Sequence, residues 1–196
     1  MTYTATITSA SLRVRESRVV AELLLQGASA EEWQAAMFEN NVLQMSSQVS
    51  VRRISRLLRA RLEPLGAALW ALVRDGSLEQ ATQAVFAAAV KESRLLADFM
   101  DLALREQRTL FATHLEPRVW TEYIQGCRGR DPDMPLWTES TVRRLRSAVF
   151  SMLAEAGYLE NTRTRRLQNV FLDEALESLL RAQDETHLLR CLKVTE

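Results

Sequence analysis

A chain of 196 residues is long enough for a sizeable core, as one domain or as two small ones. Its 47% hydrophobic content, rich in Ala and Leu, with six Gly and four Pro, reads as a mainly helical globular protein without a disordered tail. The longest apolar stretches, Leu65 to Val73 and Ala84 to Val90, fall short of a bilayer span, the N-terminus lacks an apolar signal core, and two cysteines make no disulfide framework. The expected compartment is therefore the cytoplasm.

The first helix is predicted over residues 9–26, with Val14, Val19, Leu23 and Leu24 among its apolar positions and Gly27 as its stop. Ser29 suits the cap of a short second helix through Glu31, Trp33, Met37 and Phe38, and Asn40-Asn41 suits a turn. A third helix starts near Ser47 or Ser50 and runs to Leu62. Val51, Ile54, Leu58 and Leu62 share one helical stripe, while Arg52, Arg53, Arg56 and Arg59 line the opposite face. No acid occurs between Glu39 and Glu63. The stripe therefore lacks interleaved i,i+4 carboxylates, and each like-charged pair costs a few tenths of a kcal/mol. Its partner is either a polyanion or acids from residues 63–139. The short helix, turn and basic helix resemble a helix-turn-helix, with Ser50, Arg52, Arg53, Arg56 and Arg59 as candidate contacts. Arg61, at the edge of the apolar stripe, is expected to pair internally.

Pro64 suits the first turn of a fourth helix that ends at Asp75-Gly76. Ser77 then caps a long helical stretch, Leu78 to Ala112, with a break near Ser93. Its alanines permit close packing, and its leucines read as core. Pro117 opens another helix, ended by Gly126. Pro132 and Pro135 keep the next segment from being helical, and Thr138 is placed to cap the following helix. There Val142, Leu145, Val149, Met152, Leu153 and Ala156 fall on one stripe, opposite Arg143, Arg144, Ser147 and Ser151. Gly157 closes the helix. A short β-hairpin is predicted next, pairing Tyr158–Glu160 with Leu167–Phe171 across a tip that carries Arg163, Arg165 and Arg166. This is the layout of a winged helix-turn-helix. Its candidate contacts are Ser140, Thr141, Arg143, Arg144 and Ser147 on the helix and the three arginines of the tip. The plainer reading is a solvated amphipathic helix, although a core has no use for three arginines at a loop tip. Asp173 to Val194 makes one helix or two with an acidic, solvated side.

Net charge is zero, yet charge is segregated along the chain. Residues 140–170 carry six basic against two acidic residues, and 171–196 carry three against six, so a basic surface can coexist with a neutral whole. Arginine supplies nearly all the positive charge, which suits bidentate phosphate and guanine contacts. His187 and Cys191, four apart on a helix, could share a metal, but only His114 and Cys127 remain to complete a set, and neither is close in sequence. No phosphate-binding glycine loop, nucleophile elbow or metalloprotease motif appears. The expectation is a protein without catalytic activity, cofactor, metal or small-molecule substrate.

Several local patterns occur together in one order. These are Ser9-Ala10-Ser11-Leu12 followed by Glu16-Ser17, the Trp33 helix, Ser46-Ser47 before Arg52-Arg53, and Arg61-Leu62. Then come Trp120, and Trp137-Thr138-Glu139-Ser140-Thr141 leading to Ala156-Gly157-Tyr158-Leu159. In this the chain resembles the BrxA family of bacteriophage-exclusion (BREX) defence systems, over about residues 5–172. The resemblance implies a small helical, non-enzymatic, nucleic-acid-binding protein, encoded beside a site-specific DNA methyltransferase, an ATPase and a phosphatase-like protein. Some members have been compared with a helical RNA-binding antitermination factor. It brings no motif for DNA contacts, so the site residues above rest on helical spacing alone.

The expected fold is a compact, mainly α multi-helix protein with helix-turn-helix-like elements and one short β-hairpin wing near residues 158–171. Residues 1–76 are expected as an N-terminal helical domain, 77–116 as long connecting helices, and 117–196 as a winged-helix-like domain. The expected partners are double-stranded DNA and other BREX proteins, with no membrane. A protein–protein scaffold and an RNA-binding factor are the alternatives.

Overall fold

Helix follows helix through nearly the whole chain, and polar caps mark many of the starts. The computed structural model describes residues 2–9 and 11–194. The chain divides into two units, Leu12–Glu92 and Met1–Ser11 with Ser93–Glu196. The boundary at Ser93 lies within the 77–116 stretch.

The Leu12–Glu92 unit contains α1 (Val14–Leu25), α2 (Ala30–Gln34), α3 (Gln48–Leu62), α4 (Gly66–Asp75) and α5 (Leu78–Glu92). Helix α1 begins at Val14 rather than residue 9, because Arg13 adopts a left-handed backbone (φ 57°) that no helix can pass through. Its buried face is Ser17, Val20 and Ala21, not the expected Val14, Val19, Leu23 and Leu24, which are half-buried. The small residues let α1 lie close to α4. There Arg18 donates to the carbonyls of Arg74 and Gly76, at 2.5 and 2.7 Å, and satisfies acceptors at the end of α4. Ser29 and Glu32 form a reciprocal capping box at α2, which continues as a π-helical turn to Glu39. Ser47 caps α3 by accepting from the Ser50 N–H. Pro64 lies in a 3₁₀ turn (Glu63–Leu65) that precedes α4. Helix α5 is buried over most of its circumference, from Gln83 to Val90, as a helix that is apolar all round must be.

In the second unit, Ser93 breaks the long stretch: its extended backbone interrupts the helix and its hydroxyl caps α6 (Arg94–Asp98). A π-helical segment (Phe99–Leu104) and α7 (Arg105–Thr109) continue from it. Helix α8 (Pro117–Arg130) runs past Gly126, the expected stop. The reason is tertiary: Cys127 beyond it is fully buried, and the Arg130 guanidinium folds back over the Tyr123 ring at 5.7 Å. A Cβ on Gly126 would sit 3.1 Å from Arg130 Nη1, so this glycine makes room for the return. Helices α9 (Glu139–Glu155), α10 (Glu174–Ala182) and α11 (Thr186–Leu192) complete the unit. Phe99 meets Trp120 and Tyr123 edge-on, with both centroid distances 5.2 Å. The chain's first residues belong here as well. Tyr3 is buried, its N–H bound to Asp131 Oδ2 at 2.9 Å and its hydroxyl donating to Asp98 Oδ2 at 2.5 Å. Burial and the Asp98 contact, against an opposing bond from Arg130, push its phenol up to about 12.

The expected β-hairpin is much reduced. Among the described residues pairing is confined to isolated antiparallel bridges, Leu159 with Leu167 and His114 with Arg166. Glu160 N–H donates to the Arg166 carbonyl and Gln168 N–H to the Tyr158 carbonyl, both at 2.9 Å, and the ladder stops there. Beyond it the Gln168 carbonyl is taken by the Arg108 guanidinium, so residues 168–171 do not extend a strand. On the other side, Leu115 N–H donates to the Arg165 carbonyl and Leu167 N–H to the Thr113 carbonyl. The segment before α8 thus flanks the returning arm.

Candidate nucleic-acid interface

Helix α9 takes its orientation from its apolar stripe. Leu145, Val149, Met152, Leu153 and Ala156 are buried and Val142 is half-buried, each full burial contributing about 1.5–3 kcal/mol for the larger side chains. Trp120 Nε1 donates to the Val142 carbonyl at 3.1 Å and ties α8 to the start of α9. Thr138 caps the helix, accepting from the Thr141 N–H at 3.3 Å. At the other end Gly157 has φ 83°, and the Tyr158 N–H returns to the Leu153 carbonyl, a closure that needs a left-handed residue. The opposite face is therefore open. Arg143 and Arg144 are exposed, and among the described residues neither has a carboxylate partner. The hydroxyls there are engaged locally. Ser147 donates to the Arg143 carbonyl at 3.0 Å, and Ser140 and Thr141 sit 3.0 Å from the Thr138 hydroxyl. They shape the helix start more than they offer free donors.

Asn161 organises the loop that follows. Its Oδ1 accepts from the Arg163 and Thr164 N–H groups at 2.9 and 2.8 Å, a turn that holds Arg163 out in solvent. Arg166 is exposed beside the Leu167 bridge. Arg165 differs from its neighbours: its backbone is left-handed (φ 55°), its side chain is half-buried, and its Nε is buried without a hydrogen-bond partner among the described residues. The three arginines of the tip are thus two outward and one inward.

In the other unit, Arg52, Arg53, Arg56 and Arg59 are exposed along α3, and Arg61, at the edge of the apolar stripe, is buried. The stripe is partly occupied from within. Arg59 Nε binds Glu63 at 2.6 Å and its guanidinium lies 4.7 Å from the Trp33 ring centroid, while Arg52 lies 5.5 Å from that of Phe38. Ser50 is spent on the cap, 3.0 Å from the Ser47 hydroxyl. Arg52, Arg53 and Arg56 line a groove of about 420 Å³ together with Gln48 and Val49, two residues that helical spacing did not single out. Sequence reasoning also passed over a cleft between Arg108, Phe111 and Arg166 in the second unit, because its residues come from two segments far apart in the chain. His187 reaches Cys191 Sγ at 3.8 Å, and among the described residues no three His, Cys, Asp or Glu converge. No described helix is long and apolar enough to cross a membrane.

The BrxA family model matches residues 1–184. The chain belongs to the BrxA family. It is 44% identical to a BREX protein BrxA of Paramagnetospirillum magneticum, over 98% of this chain and 97% of the relative. It is 30% identical to a BREX protein BrxA of Escherichia coli O9:H4, over 93% and 85% of the two. A crystal structure of an uncharacterized protein from Magnetospirillum magneticum superposes with a TM-score of 0.92 at 42% identity, covering 99% of this chain and 100% of that one. Membership of the BrxA family implies a role in BREX phage defence.

Proposed function

We propose that this BrxA protein is a non-enzymatic, cytoplasmic accessory factor of a BREX system that binds double-stranded DNA, mainly through phosphates. The observation that carries the reading is the outer face of α9 with its following loop. Arg143, Arg144, Arg163 and Arg166 all reach solvent there without a carboxylate partner among the described residues. Unopposed guanidiniums on a rigid helix and a turn locked by Asn161 supply counterion-releasing phosphate contacts. The chain order also supports it. A bridging segment, α8, a turn, α9 and a bridged loop follow the order of a winged helix-turn-helix with its wing cut short. The α3 stripe is a second basic surface, on which Arg53 and Arg56 are exposed.

A scaffold reading, in which other BREX proteins dock on the arginines, is favoured by one feature: Val49 is 79% exposed in the α3 groove. Titrating salt against a labelled 20-base-pair duplex decides between them. Duplex binding whose logarithm falls linearly with log salt supports the DNA reading. Absence of duplex binding, with capture of BREX partners that survives nuclease treatment, supports the scaffold.

A further inference from the structure

Helix α7 ends in an unusual way. Phe111 N–H donates to the Arg108 carbonyl at 3.0 Å and Ala112 N–H to the Gln107 carbonyl at 3.0 Å, a left-handed closure whose key position normally takes glycine. Here it holds Phe111 at φ 54°, a backbone that a bulky side chain rarely adopts. The ring gains nothing in exchange from packing, being 91% exposed. An aromatic residue that is unfavourable both for the backbone and for solvation is not placed by stability.

The ring stands at a cleft of about 740 Å³, within the roughly 300–1,000 Å³ range of small-ligand pockets. Arg108, His114 and Arg166 bring positive or hydrogen-bonding groups to its wall, and among the described residues no carboxylate lines it. Arg108 is held in place by the Gln168 carbonyl and by Asn169 Oδ1 at 3.3 Å, and its buried Nε has no hydrogen-bond partner among the described residues. His114 is oriented by the Thr113 hydroxyl, 2.9 Å from its Nδ1. The cleft thus combines a bare π-face with one fixed cation, Arg108, and one exposed cation, Arg166, in a space sized for one nucleotide and too small for a duplex.

We infer that this cleft binds one unpaired nucleotide of a single strand, its base stacked on Phe111 and its phosphate held by Arg166 beside Arg108. This goes beyond duplex binding, and Arg166 is the only residue common to both. Base–aromatic stacking tolerates any base, so the site takes DNA or RNA without sequence preference.

The test uses the full chain with fluorescein-labelled 12-mers of oligodeoxythymidine and oligouridine, and with a blunt duplex as reference. Phe111→Ala and Phe111→Gly should weaken single-strand binding by roughly ten-fold or more, while Phe111→Trp retains it. All three should leave duplex binding unchanged. Phe111→Gly should melt no lower than wild type, since glycine suits the backbone, so the loss cannot be assigned to unfolding. Equal single-strand affinity across the four proteins overturns the inference, as does no single-strand binding by the wild type. So does a cleft that binds an acidic aromatic peptide in preference to either 12-mer. Loss of duplex binding in Arg143→Ala/Arg144→Ala tests the duplex reading separately.

Discussion

The loop after α9 permits a quantitative test in which burial changes the expected number. Replacing Arg163, Arg165 and Arg166 together by Ala removes three arginines, but Arg165 is turned inward with its Nε buried. Two of the three side chains, Arg163 and Arg166, are therefore the ones expected to contact phosphates. At about 0.9 per lost contact, the slope of log K against log salt should flatten by about 1.8 rather than about 2.7. Between about 50 and 200 mM salt the mutant should then lose roughly 12-fold less affinity than wild type. Fluorescence anisotropy on a duplex across that range reads the slope directly, with thermal melting as the check on folding. Arg163→Ala and Arg166→Ala should each carry about half of the change and alter stability by no more than about 0.5 kcal/mol. Arg165→Ala alone should leave the slope unchanged. A folded triple mutant with wild-type slope would remove the loop from the interface, and a slope change carried by Arg165 would refute the burial argument.

On α3, Arg53→Glu/Arg56→Glu should weaken duplex binding steeply, whereas Arg59→Ala, which removes the Glu63 pair and the stack on Trp33, should cost about 0.5–1.5 kcal/mol in denaturant unfolding. Asp101, 11% exposed, accepts from Arg190 at 2.8 Å and Arg105 at 3.2 Å. Burial raises its carboxyl pKa, but the two arginines outweigh that and leave it below the usual range. A depressed folded value stabilises above the unfolded carboxylate pKa of about 3.9, and this is lost as pH falls through the folded value. Asp101→Asn should therefore lower the melting temperature at neutral pH and weaken the acid dependence of stability. Leu145→Ala should cost about 2–5 kcal/mol in urea unfolding, because a fully buried leucine leaves a cavity.

Local chemistry made several elements legible from the residues alone. A polar residue just before an apolar period satisfies amides that have no other partner, so Ser29, Ser47 and Thr138 mark their helix starts wherever the rest of the chain lies. The stripes of α3 and α9 follow from helical period, which is why their arginines could be assigned to the wet face. The family, too, was readable in the order of short patterns. Tertiary contacts decided the rest. Gly126 carries a helix through because Arg130 folds back on Tyr123, and the residues after Gln168 leave the ladder because Arg108 takes its carbonyl. Arg165 turns in while Arg163 and Arg166 stay out, although all three lie within four positions of one loop. The Phe111 cleft draws on residues 108–114 and residues 166–169, and spacing along one element cannot report a convergence made by packing between two segments.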